Sequence, residues 1–152
     1  MNKDERVRAY EGGFRWAGVE LHRYKDEGSA PFRDITRQTL FNSGDMAGEL
    51  RYFEIAPGGY STLERHEHVH AVMILRGEGR CLVGSDVRPV APFDLVSVPP
   101  MSWHQFRAGS EPLGFLCLVD RNRDRPRLPT PGELAELRAD PQIGAFLGSE
   151  AP

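Results

Sequence analysis

Cysteine is nearly absent from this chain. Of 152 residues only Cys81 and Cys117 carry thiols, and no CxxC or zinc-type spacing links them. That excludes a disulfide scaffold and a zinc site closed by thiolates; two free, buried thiols in a reducing cytoplasm are expected instead. Long apolar runs are missing too. Nothing approaches the length of a membrane span, and the opening "MNKDERVRAYEGG" lacks the apolar core of a secretory signal. A cytoplasmic protein with no membrane partner is therefore expected. Charge of one sign is not in excess either: 19 Lys plus Arg face 22 Asp plus Glu, for a net charge of -3 and a pI of about 6.0. Such a balance offers no electrostatic ground for binding nucleic acid. Helical periodicity does not occur before Asp120, which argues against a βαβ design.

What the chain does have is punctuation. Its 16 glycines and 12 prolines separate short apolar runs. The runs "VELHRY", "ITRQTLF", "GELRYFEI", "YSTLERH", "HAVMILRG", "GRCLVG", "VRPV", "DLVSVP", "HQFRA" and "GFLCLVDR" read as strands. Turn chemistry at "NSGD", "APGG", "GSD", "PPMSW" and "AGSEP" separates them. Regular short strands of this kind imply an all-β sandwich or barrel, and the length suits one domain. After Asp120 the character changes. "RNRDRPRLP" reads as an extended linker, and Asp120 and Asp124 among its arginines favour a solvated face over an anion site. Two helix starts follow: Thr130, Pro131 and Glu133 form a capping box, and Asp140 with Pro141 repeats the device. Leu134 and Leu137, then Ile143, Phe146 and Leu147, provide apolar faces. Residues 1–127 thus read as a barrel and 128–152 as a helical tail that must pack on it or on a partner subunit.

The densest chemistry lies in "GGYSTLERHEHVHAVMILRGEG". Glu64, His66, His68 and His70 recur at every second residue there, and three of the chain's five histidines are among them. Alternate residues of a strand share a face, so all four can point the same way. The bland alternative is a histidine-rich strand exposed at a barrel rim. Three histidines and a carboxylate in step make a metal site the stronger reading.

This stretch resembles the first motif of the cupin family, in which a glycine, two histidines, a glutamate and a second glycine follow one another at set spacings. Gly58 and Gly77 take the two glycine places. The ligand places then fall on Glu64, His66 and His70, with Glu and His exchanged relative to the usual order. The family's second motif is matched by Pro99 and His104, whereas Phe93, Met101 and Ala108 replace its Gly, Gly and Asn. The resemblance spans residues 35–122. It implies an antiparallel jelly-roll β-barrel with the helical tail appended, and one divalent transition metal (Fe, Mn, Ni, Cu or Zn) on Glu64, His66, His70 and His104. His68 falls in the turn between two strands and is assigned a place behind the ligands or at the rim. Three neutral imidazoles and one carboxylate leave such an ion one net positive charge, with two positions open if it is octahedral.

Around that site, the parity of Phe106, Phe115 and Cys117 points inward, and Met101 and Trp103 suggest an apolar lip. No Arg or Lys is read beside the ligands, which weakens the case for a phosphorylated substrate. Three functions compete. The resemblance implies a mononuclear non-heme dioxygenase acting on a small organic molecule. A metal-dependent lyase or isomerase is the alternative, with Tyr52, Glu54 or Tyr60 as base. A non-catalytic binding module is the third, disfavoured because no second domain is present to carry a signal. By resemblance, a homodimer is expected.

Overall fold

A computed structural model describes residues 6–23 and 33–148. A small hairpin of β1 (Tyr10–Gly12) and β2 (Arg15–Trp16) precedes the main sheet. That sheet comprises β3 (His22–Arg23), β4 (Arg33–Asn42), β5 (Gly48–Tyr60), β6 (His70–Arg76), β7 (Gly79–Val83), β8 (Asp86–Val90), β9 (Leu95–Val98), β10 (His104–Ala108) and β11 (Leu113–Asp120). All pairings are antiparallel, in the order β8-β7-β10-β5-β11-β6-β9, with β4 also against β5 and β3 against β4. The sheet curls on itself as a jelly-roll barrel. Of the expected first strand, "VELHRY", only His22 and Arg23 pair, and its Tyr24 lies outside the described residues.

Two sequence expectations fail at β5. "APGG" is not a turn: β5 runs 13 residues straight through it. Gly58 adopts φ 74° and donates its amide to Gly109 O at 3.0 Å. The pairing with β4 meanwhile skips from Ile35↔Ile55 to Arg33↔Tyr60. A left-handed glycine inside a ladder makes a bulge, which bends the strand without reversing it. Beyond the bend β5 leaves β11 and joins β10, which closes the corner of the barrel. "YSTLERH" is likewise not a strand. Its Glu64 pairs only with His104 and its Arg65 only with Arg127, as isolated bridges. The segment is divided between two neighbours and forms no ladder with either.

The interior is packed by Ile55, Val72, Ile74, Phe106, Leu113 and Phe115. Outside it, Phe14 of the N-terminal hairpin stacks on Tyr52 at 5.5 Å. The tail forms α1 (Pro131–Ala139) and α2 (Pro141–Leu147), with the capping box at Thr130 and Glu133 and a cap at Asp140. Ile143, Phe146 and Leu147 bury themselves among Leu63, Leu82 and Val87 of the barrel. Glu133 also takes the Arg65 guanidinium at 2.6 Å, so the tail braces the segment that carries Glu64 and His66.

Gly77, in the β6–β7 turn, has φ 72°, and a Cβ there would strike the Pro112 carbonyl. Backbone cannot yield as a flexible side chain can. Gly77→Ala is expected to cost roughly 3 kcal/mol, read as a lower urea midpoint at unchanged slope.

Candidate metal centre

Three elements converge on the barrel mouth. β6 supplies His70, β10 supplies His104, and the irregular run between β5 and β6 supplies Glu64, His66 and His68. Glu64 and His104 exchange backbone hydrogen bonds of 3.3 and 3.0 Å, which fixes these two residues side by side. A bend at Glu67 and His68 then interrupts the alternation before His70 enters β6. One nitrogen each from His66, His70 and His104 lies within 4.8 Å of the others.

Neighbouring carbonyls orient two of these rings. His66 Nδ1–H donates to His68 O at 2.7 Å, and His104 Nδ1–H donates to Ser102 O at 2.9 Å. A carbonyl can only accept, so both rings are left with a bare Nε2 lone pair. His70 Nε2 stands 3.3 Å from His104 Nε2. Two such nitrogens at this distance repel unless a proton or a cation lies between them. Burial pushes all three imidazoles below their ordinary pKa, His104 to about 4, so they are neutral near pH 7. Neutral imidazole is the form that binds a divalent ion. The donor set fits a metal.

Glu64 stands beside this group. Its Oε1 is 3.9 Å from His104 Nε2, and burial pushes its carboxyl up to about 7. A divalent cation nearby would reverse that shift. Its place as fourth ligand is a proposal, and a substitution tests it. Glu64→His should move metal preference toward copper or zinc and away from manganese or iron, because carboxylate suits the harder ions. Competition binding measures this, and unchanged selectivity would remove Glu64 from the ligand set. His68 lies outside the imidazole group. Its ring stacks on His66 with centroids 3.6 Å apart, and its Nδ1 pairs with Asp124 Oδ1 at 2.7 Å.

The histidines open into a cavity of about 360 Å³. Phe106, Phe115 and Cys117 line it, as their parity implies. Met101 and Trp103 do not. Met101 N–H instead donates to His66 O at 2.7 Å, and Trp103 lies under the Arg65 guanidinium at 4.3 Å. The proposed bases Tyr52, Glu54 and Tyr60 are absent from the cavity wall. On the outer face of β5 Tyr52 donates to Glu54, which also accepts from Arg76, and Tyr60 packs against Arg107.

Two arginines overturn the reading of an uncharged wall. Arg51 and Arg123 both line the cavity. On β5 the inward set is Glu49, Arg51 and Phe53, paired across to Val119, Cys117 and Phe115. Arg51 therefore lies opposite Cys117, with its Nη2 donating to Sγ at 3.7 Å. The signal was available, since Arg51 shares the parity of Phe53 and Ile55. Tyr52 and Glu54, named as bases beside the metal, would need the opposite parity to face inward. Arg123 arrives from the segment read as a solvated linker. There Asp124 accepts hydrogen bonds from the Glu67 and His68 amides at 2.8 and 2.9 Å and pins the segment to the histidine loop.

The Cupin domain family matches residues 51–119. The fold matches a cupin 2 conserved barrel domain protein from Rhodopseudomonas palustris at 57% identity and a TM-score of 0.90, covering 92% of this chain and 97% of that one. This chain belongs to the cupin family. Another cupin, from Halorhodospira halophila, is 43% identical with a TM-score of 0.72, covering 95% of both chains. The 1-methylthio-D-xylulose 5-phosphate methylsulfurylase of Rhodospirillum rubrum is 58% identical to this cupin over 147 residues, 96% of this chain and 94% of that protein. The family frame also explains the weak second motif. Phe93 and Met101, which replace its glycines, keep positive φ of 75° and 56°. Both positions thus hold left-handed backbone without the residue that adopts it most cheaply.

Proposed function

We propose that this cupin removes the methylthio group from 1-methylthio-D-xylulose 5-phosphate, the compound named for its relative in Rhodospirillum rubrum. The observation that carries the reading is Cys117, a thiol on the cavity wall between Arg51 and the candidate ligand His70. Transfer of a methylthio group calls for a sulfur acceptor. Cys117 Sγ lies 3.3 Å from His70 Nδ1. With His70 Nε2 committed as a ligand, Nδ1 carries the proton and donates to the sulfur, which favours thiolate. Burial pushes the thiol up, and the Arg51 and Arg123 charges oppose that shift.

The chemistry balances as follows. Cys117 thiolate attacks the methylthio sulfur, forming an S–S bond and breaking the C1–S bond. The released electron pair passes to C1, where the C2 carbonyl accepts it as an enolate. One proton from solvent at C1 then gives the 1-deoxyketose phosphate. Carbon is reduced and the two sulfurs are oxidised to a mixed disulfide. A second, soluble thiol displaces the methylthio group from Cys117 and restores the enzyme. A divalent ion on His66, His70, His104 and Glu64 would supply Lewis acidity for the enolate oxygen. Phe106 and Phe115 add apolar surface to the wall, which limits water around the reacting sulfur.

The test is turnover of the methylthio sugar phosphate with a soluble thiol, followed by NMR of the new C1 methyl group. No reaction across the divalent metals would sink the proposal. The dioxygenase expectation draws on the family resemblance and on an apolar pocket, and an oxygen electrode separates the two. Uptake of dioxygen during turnover would restore it.

A further inference from the structure

We infer that Arg51 and Arg123 form an anion subsite that seats the phosphate of the substrate. This deepens the reading above and rests on it for the identity of the anion as a phosphate monoester. Among the described residues, these two are the permanent cations on the cavity wall. They come from separate elements, β5 and the segment after β11, and meet at one buried carboxylate. Glu49 Oε1 is 3.9 Å from Arg51 Nε, and Glu49 Oε2 is 3.5 Å from an Arg123 Nη. Both separations exceed a good hydrogen bond, and Arg51 Nε is a buried donor with no hydrogen-bond partner.

At Glu49 one carboxylate faces two guanidiniums, which leaves a net positive charge at that corner of the cavity. A phosphate monoester carries between one and two negative charges near neutrality, and its three free oxygens suit the planar fork of arginine. Arg51 also reaches Cys117 Sγ. A sugar phosphate held by this pair is thereby tethered on the same wall as the thiol. Asp124 has a defined part in this arrangement. Its hydrogen bonds to Glu67 and His68 hold the segment over the mouth, and Arg123 is fixed there through Asp120 O at 3.2 Å.

Calorimetry on the protein as purified tests the subsite, using xylulose 5-phosphate and xylulose as probes. Both sugars carry the C1, C3 and C4 hydroxyls and differ at C5, so the part of their difference that depends on the two arginines reports the phosphate. Wild type should prefer the phosphorylated sugar, with an advantage that shrinks as salt rises. Arg123→Gln, at a partly exposed position, should lower affinity for xylulose 5-phosphate at least about tenfold and leave xylulose unchanged. Arg51→Gln should do the same, and circular dichroism verifies that each variant folds. Unchanged binding of xylulose 5-phosphate by Arg123→Gln overturns the inference, as does equal weakening of both sugars. The assay involves no turnover. Arginine-dependent phosphate binding without methylthio cleavage would therefore retain the subsite and reject the activity, and the converse result would do the opposite.

Discussion

Cys117→Ser should lose at least about a thousandfold in turnover while keeping its metal and its melting temperature. The expected loss is that of an enzyme deprived of its nucleophile, since a serine hydroxyl cannot take up a methylthio group as a thiolate does. Metal retention follows because Cys117 touches His70 through Nδ1 and not through the nitrogen facing His104. A second readout removes the ambiguity of a dead variant. Wild type given the methylthio sugar phosphate without soluble thiol should gain the mass of one methylthio group in place of one hydrogen. That mass should map to Cys117 and disappear on adding the thiol. Cys81 is the internal control. It is 4% exposed, is not among the residues that line the cavity, and has its thiol pushed up to about 11 by burial. Cys81→Ser should leave turnover within about twofold of wild type. Wild-type turnover by Cys117→Ser would eliminate the covalent route.

His66→Ala and His104→Ala should each release the metal. Both rings have Nδ1 held by a backbone carbonyl, so the orientation of Nε2 costs no side-chain entropy at the moment of binding. Loss of a partner one shell out lowers metal affinity by about 10–100-fold, so removal of a ligand itself should exceed about a hundredfold. His68→Ala supplies the contrast. His66 leans on the His68 carbonyl, which an alanine retains, and the lost ring contributes stacking and the Asp124 pair. Affinity should fall by no more than about tenfold. Elemental analysis after dialysis reads all three variants. An empty site in His68→Ala with a full one in His104→Ala would show that the ligand register is wrong.

Much of this is legible in the sequence, and for local reasons. The capping box at Thr130 and Glu133 and the cap at Asp140 are encoded within a few residues, and both stand where expected. The two motif glycines mark left-handed backbone at Gly58 and Gly77, and that preference travels with the residue itself. His66, His70 and His104 stand at the places that the resemblance to the cupin motifs gives to ligands, and the structure brings them together although His66 lies on an irregular run and only His70 and His104 open strands. The run "APGG" shows the limit of the same logic. Its residues specify a bend, but whether the chain reverses or continues depends on which strands are there to pair with it.

The wall of the cavity was a different matter. That Arg51 faces Cys117 follows from the register of β5 against β11, two strands far apart in the chain. A slip of one residue would have turned Tyr52 and Glu54 inward, as first expected. The register is set by what each face buries: Phe53 and Ile55 inside the barrel, and Tyr52 under the aromatic rings of the N-terminal hairpin. The same holds for Arg123. In the sequence it is one arginine of a charged run. Only the docking of Asp124 on the His68 loop brings it to the mouth, because a hydrogen bond between segments that distant exists only once the barrel has closed.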